Sequence, residues 1–219
     1  MKKFLLAVVI TCAFLSANAT HTKGGWMYYE YLGPGISNPT FLRYKIGLNY
    51  YIDCPSNLIE NVINFSIYNA VSPFNFVQDV SVSVNSINSS QNCVSTTCYP
   101  CITNIPTLCY KIINYEIIVE LPVTSGGYSI AKQRCCRIGG ISNLRPPSDN
   151  IGETYTISIP GVVTGVPTAH MNASPVFTFN DTSIVCADNA FSLNLSATDA
   201  DGDSLVYSFC NAFTGGSSL

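Results

Sequence analysis

Phe41-Leu-Arg-Tyr44-Lys-Ile46-Gly-Leu48-Asn-Tyr50-Tyr-Ile52-Asp53 is the stretch on which the fold turns. Tyr44, Ile46, Leu48, Tyr50 and Ile52 alternate with Arg43, Lys45, Gly47, Asn49 and Tyr51. A period of two sends these sets to opposite faces of a strand. One face is apolar and needs a second layer to cover it. Cys54-Pro55 ends the run, since proline cannot continue a ladder.

Similar segments lie on both sides of it. Trp26 to Leu32 reads as a strand broken by Gly33-Pro34-Gly35. Val62 to Tyr68 and Phe76 to Val84 read as two more, joined across a turn at Ser72-Pro73. Tyr110 to Leu121 is a long apolar strand closed by Pro122, and Ser125-Gly126-Gly127 turns the chain into Tyr128 to Arg137. Tyr155 to Ile159 follows. Residues 85–109 lose periodicity and carry four cysteines, so they read as a stapled loop. No stretch has the period of an amphipathic helix. Seven or eight strands suffice for a sandwich. The expectation is an all-β chain: an immunoglobulin-like β-sandwich stapled by disulfides over residues 20–166, a linker at 167–174, and a short β unit at 175–219. That last unit offers Pro175 to Phe179, Phe191 to Ala197 and Ser204 to Phe209, and three strands leave a face uncovered. It reads as an incomplete repeat of a longer protein.

The first nineteen residues have the layout of a secretory signal. Lys2 and Lys3 precede an apolar run from Phe4 to Leu15, and Ala17-Asn18-Ala19 is a small-x-small cleavage site. The mature chain then begins at Thr20. The run is far shorter than the roughly twenty residues a spanning helix needs. A lipoprotein reading through Cys12 is weaker, because Thr11 precedes it and the apolar core is cut off early. Charged residues are only 11% and the net charge is −3, which excludes the basic surface that nucleic-acid binding requires.

Nine cysteines remain after cleavage: Cys54, Cys93, Cys98, Cys101, Cys109, Cys135, Cys136, Cys186 and Cys210. In an exported chain they are disulfide candidates. The odd count leaves one thiol free or partnered elsewhere. The spacing of Cys93, Cys98, Cys101 and Cys109 also suits zinc, but no histidine lies near and an oxidising compartment favours bridges. Cys135 and Cys136 are neighbours on an expected strand. Opposite facing predicts two separate bridges, with a vicinal disulfide as the lesser alternative.

Near the end, Leu193, Leu195 and Ala197 share one face, as do Leu205, Tyr207 and Phe209. Between them lies Asp199-Ala-Asp201-Gly-Asp203, a hairpin-like turn. Three carboxylates so close repel one another, and a hard cation with oxygen ligands relieves that. Plain turn formation by Asp and Gly is the competing account.

Catalytic signatures are missing: there is no GxSxG, HExxH, GxGxxG or P-loop pattern. His21 and His170 read as surface residues. Asn64, Asn88, Asn172, Asn180 and Asn194 match the glycosylation pattern, which matters only in a eukaryotic source.

His21-Thr-Lys-Gly-Gly-Trp-Met-Tyr-Tyr29, Tyr44 to Cys54, Gly127-Tyr-Ser-Ile-Ala-Lys-Gln-Arg-Cys-Cys-Arg137 and Ala197 to Tyr207 occur in an order that resembles large secreted surface proteins of Bacteroidetes-type bacteria, the gliding-motility-associated and PKD-domain-containing kind. The aspartate block is also similar to bacterial cadherin-like repeats. That resemblance implies Asp199, Asp201 and Asp203 as Ca²⁺ ligands, with Asn172 as a further candidate. It implies a secreted, non-catalytic structural or adhesive protein of the cell surface, whose partner is an extracellular glycan or protein. The alternative is a carbohydrate-binding or targeting module of a larger secreted enzyme, with exposed aromatics such as Trp26 and Tyr51 stacking on sugars. A third class, a secreted hydrolase, needs a catalytic domain beyond Leu219. None of these implies a nucleic acid or a transmembrane span.

Overall fold

A computed structural model describes residues 22–53, 59–93, 107–144, 147–163, 165–166, 168–178 and 188–215. Seven strands form one antiparallel sheet: β1 (Thr22–Pro34), β2 (Phe41–Asp53), β3 (Val62–Asn69), β4 (Phe76–Cys93), β5 (Thr107–Pro122), β6 (Tyr128–Arg134) and β7 (Glu153–Ile159). Their spatial order is β1-β2-β5-β4-β3-β6-β7. Strand β4 is shared. Phe76 to Ser83 pair with β3, and Val84 to Cys93 pair with β5. A register irregularity between Val84 and Ser86 marks the passage, where a bulge bends and twists the strand. The sheet folds over on itself there, and β1 comes to pack against β7. Lettered A to G along the chain, the order is A-B-E-D beside C-F-G, the arrangement of an immunoglobulin-like sandwich.

The core follows from the alternation. Tyr44, Ile46, Leu48, Tyr50 and Ile52 of β2 are buried with Ile113, Tyr115 and Leu121 of β5 and with Ile63, Phe65 and Ile67 of β3. Burying each such side chain is worth about 1.5–3 kcal/mol. Buried phenols need partners. The Tyr115 hydroxyl donates to the Glu60 carbonyl at 2.6 Å and that of Tyr44 to the His170 carbonyl at 3.1 Å. Tyr128 opens β6, and its hydroxyl donates to the Pro122 carbonyl six residues upstream at 2.8 Å. That is the tyrosine corner of such sandwiches. The preceding Gly127 has φ +71°, and a Cβ there would collide with backbone around Ile159 and Gly161. Only glycine permits that turn.

Several expectations are corrected. Residues 85–109 are not one loop: β4 runs on to Cys93 and β5 starts at Thr107. Their Asn and Ser residues pair with β5 through the backbone, and such polar residues leave no apolar period to mark a strand. Strand β6 ends at Arg134, so Cys135 and Cys136 lie past the region where alternation would separate them. They are bonded to each other, which replaces the two separate bridges. His170 is not a surface residue. It is 7% exposed, against the Tyr31 ring. In the C-terminal unit the only strands among the described residues are β8 (Val176–Phe177) and β9 (Ala197–Thr198), paired antiparallel. Ser204 to Phe209 is irregular, so the hairpin across the aspartate turn is not formed. Its apolar side is thinly covered: Tyr207 meets the Phe177 ring, and Phe209 is 97% exposed.

His21, Cys54, Cys98, Cys101 and Cys186 lie outside the described residues, as does the expected signal. The backbones of Cys93 and Cys109 sit in β4 and β5, and Cys210 is exposed and unbonded. Among the described residues the only helical element is a 3₁₀ turn at Ser148–Asn150, and none is long and apolar enough to cross a membrane.

Candidate functional site

The outward positions of β1, β2 and β5 come into rows through the strand register. Trp26 sits opposite Asn49, which sits opposite Asn114. Tyr28, Gly47 and Glu116 form the next row, and Glu30, Lys45 and Ile118 the third. Gly47 is the pivot. The Tyr28 ring lies across the strand at that position, and any Cβ on residue 47 would overlap it. Glycine inside a strand marks such a close approach.

Lying over Gly47, Tyr28 reaches β5. Its hydroxyl donates to Glu116 Oε2 at 2.8 Å and accepts from Asn114 Nδ2 at 2.9 Å. Asn114 also donates to Asn49 Oδ1 at 2.9 Å and accepts from Asn85 Nδ2 at 2.8 Å. Burial first, and then the Glu116 carboxylate against the opposing Asn114 hydrogen bond, push the Tyr28 phenol up to about 12. Lys45 is ion-paired with Glu30, which raises its pKa. The Trp26 and Tyr28 rings are tilted 50° with centroids 5.4 Å apart. Trp26 is 42% exposed, leaving an aromatic face open to solvent. Tyr51, the other expected platform, packs against Tyr110 at 5.5 Å and lies outside this array.

A second wall rises from the C-terminal half of the chain. Residues 172–174 run beside β1: Tyr31 N–H donates to the Asn172 carbonyl at 3.2 Å, and Ser174 N–H to the Tyr29 carbonyl at 2.9 Å. The aspartate loop then closes on this segment. Asp201 Oδ2 accepts from Ala173 N–H at 2.7 Å, and Asn172 Nδ2 donates to Asp203 Oδ2 at 3.1 Å. Asp199 Oδ1 accepts from the N–H groups of Asp201 at 2.9 Å and Asp203 at 3.1 Å. The three aspartates and Asn172 therefore do meet. Their charge reaches β1, where burial and then Asp201, Asp199 and Asp203 push the Tyr29 phenol up to about 12.

The donor chemistry suits a hard cation, since all four side chains offer oxygen. The arrangement does not yet converge on a point. At least one oxygen of each carboxylate is taken by an N–H donor, and no three His, Cys, Asp or Glu side chains gather as a metal group among the described residues.

Between the two walls runs a groove of about 480 Å³. Trp26, Tyr28, Lys45 and Asn49 line its sheet side, and Asn172 and Asp201 the other. Of these, Trp26, Asn172 and Asp201 were legible as candidates. Tyr28, Asn49 and Asn114 were not, although an outward glycine between Lys45 and Asn49 was the available signal of a ring crossing the strand.

At the opposite end, Arg134 pairs with Glu60 at 2.9 Å and lies over the Tyr50 ring at 5.5 Å. Thr22 bonds to the buried Glu153 and to the Cys136 carbonyl. The Thr22 bonds tie down the start of β1.

No protein-family model matches the chain, and no curated protein or solved structure matches it.

Proposed function

We propose that the chain is an exported, non-catalytic surface protein of the structural or adhesive kind. An immunoglobulin-like sandwich, stapled by its remaining cysteines, presents the outer face of β1, β2 and β5 to an extracellular partner. The aspartate loop beside that face takes Ca²⁺ and stiffens the junction. The signal-like N-terminus and the resemblance to Bacteroidetes-type surface proteins support export. The observation that carries recognition is the groove itself, where an open tryptophan and a polar network meet a wall supplied by another part of the chain. Exposed aromatic faces beside convergent polar groups mark binding surfaces.

Beads coated with the exported full-length chain should adhere to intact cells of the source under flow, and those coated with Trp26→Ala should detach. Adhesion no better than that of uncoated beads would sink the proposal. The calcium component has its own readout. Melting in calcium should lie several degrees above melting in chelator, because a ligand that binds only the folded state stabilises it. Asp201→Ala should erase the difference. Identical wild-type curves would remove calcium and leave recognition standing.

A further inference from the structure

We propose that the groove binds a carbohydrate chain, with a sugar ring stacked on Trp26 and its hydroxyls held by Asn49, Lys45 and Asp201. This rests on the outer face of β1, β2 and β5 being the recognition surface, and it names the ligand class for that surface.

The chemistry of the walls selects among ligands. Pyranose rings have apolar C–H faces and a rim of hydroxyls that both donate and accept. They therefore need a flat aromatic surface together with mixed hydrogen-bonding groups. Trp26 supplies the surface at 42% exposure. The tilted Tyr28 ring beside it sets the floor at an angle, as a twisted glycan requires. Asn49, with an amide that donates and accepts, stands in the same row as Trp26. Lys45 offers donors, and Asp201 offers an acceptor from the far wall.

Other ligand classes fit less well. The Lys45 charge is met by Glu30, so the groove has no surplus positive charge for a phosphate-rich polymer. An apolar ligand would strip water from Asn49 and Asp201 and offer no hydrogen bond in exchange. The volume of about 480 Å³ falls within the roughly 300–1,000 Å³ of small-ligand sites, so it takes a short stretch of glycan.

The platform is held rather than floppy. Tyr28 is fixed by Glu116 and Asn114, and Asn114 in turn fixes Asn49. Side chains pinned before binding lose less entropy when a ligand arrives. Gly47 is what allows this, since a side chain there would lift the Tyr28 ring off the sheet.

The experiment is titration calorimetry of the exported full-length chain against soluble oligomers of β-1,4-glucose, β-1,4-N-acetylglucosamine, xylose and α-mannose. At least one should bind. Trp26→Ala should weaken that binding about tenfold or more, the size expected for one lost aromatic contact. Asn49→Ala should weaken it less, and Gly47→Ala should weaken it through displacement of Tyr28. Near-ultraviolet circular dichroism checks that each variant is folded. Binding that survives both Trp26→Ala and Asn49→Ala overturns the groove as the site. No sugar binding together with adhesion that still depends on Trp26 overturns the glycan assignment in favour of a protein partner and leaves the surface reading intact. Loss of both sugar binding and adhesion overturns the two together.

Discussion

Tyr44 to Ile52 and Leu193 to Phe209 carry the same kind of apolar alternation, and only the first becomes a buried strand. Strand β2 is paired on both sides, by β1 and β5, and its apolar face is closed off by the opposite layer. The C-terminal segment has a two-residue pairing and leaves Leu193, Leu195, Tyr207 and Phe209 exposed. Alternation is thus a statement about which side chains share a face. Whether a strand forms depends on something to bury that face, at about 25 cal/mol per Å² removed from water. Isolated hairpins are marginal for that reason.

The largest test of this contrast is alkaline pH. Burial pushes the phenols of Tyr29 and Tyr115 up to about 12, as it does Tyr28, and raises Tyr44 and Tyr50 further. A raised folded pKa means a contribution that is intact below the unfolded value near 10 and is lost as pH climbs through the folded value. The sandwich should therefore hold below pH 10 and unfold cooperatively toward 12, followed by tyrosinate absorbance together with circular dichroism. Gradual tyrosine ionisation between 9 and 11 with the fold retained would show that the core is open to solvent.

Next in size is a paired substitution. Leu48→Ala should destabilise by about 2–5 kcal/mol in denaturant unfolding. Phe209→Ala should change stability by less than about 0.5 kcal/mol. Equal losses would mean that the C-terminal segment is packed after all. Smaller again is Tyr128→Phe, which deprives the Pro122 carbonyl of its donor and should lower stability by about 1–2 kcal/mol. A neutral result would reduce the tyrosine corner to ornament.

The smallest effect concerns the turn after β1. Glu120 accepts from the N–H groups of Ile36, Ser37 and Asn38, at 2.7, 3.0 and 3.2 Å. Those bonds, led by Ser37, hold its carboxyl below the usual range. The contribution is present above the unfolded pKa and fades as pH falls through the lowered value. Amides 36–38 should therefore lose protection, measured against their intrinsic exchange rate at each pH, as Glu120 protonates, while β2 keeps its own. An equal loss of protection across both would break the distinction between turn and core.

Much of the sandwich was legible because its strands alternate strongly and end at Gly or Pro. Strand β2 matched its sequence reading from Phe41 to Asp53, and the turn at Ser72-Pro73 lies between β3 and β4 as expected. The extension of β4 to Cys93 was invisible because a run of Asn and Ser reads as loop in sequence. The Cys135–Cys136 bond was misjudged because the strand stops one residue before it. At the site, the aspartates and Asn172 announce themselves by local spacing. Tyr28, Asn49 and Asn114 come from three strands, and only the register unites them.

The period-two layout of β2 also bears on how such proteins diverge. Residues that hold the molecule together and residues proposed to meet a partner occupy alternate positions of the same thirteen-residue stretch, pointing away from each other. Mutation can rewrite the outward set while the inward set keeps the scaffold intact. Gly47 is the exception that limits this freedom. It must stay small for its neighbour's ring to lie flat, so lineages that retain the aromatic floor are bound to retain the glycine beneath it.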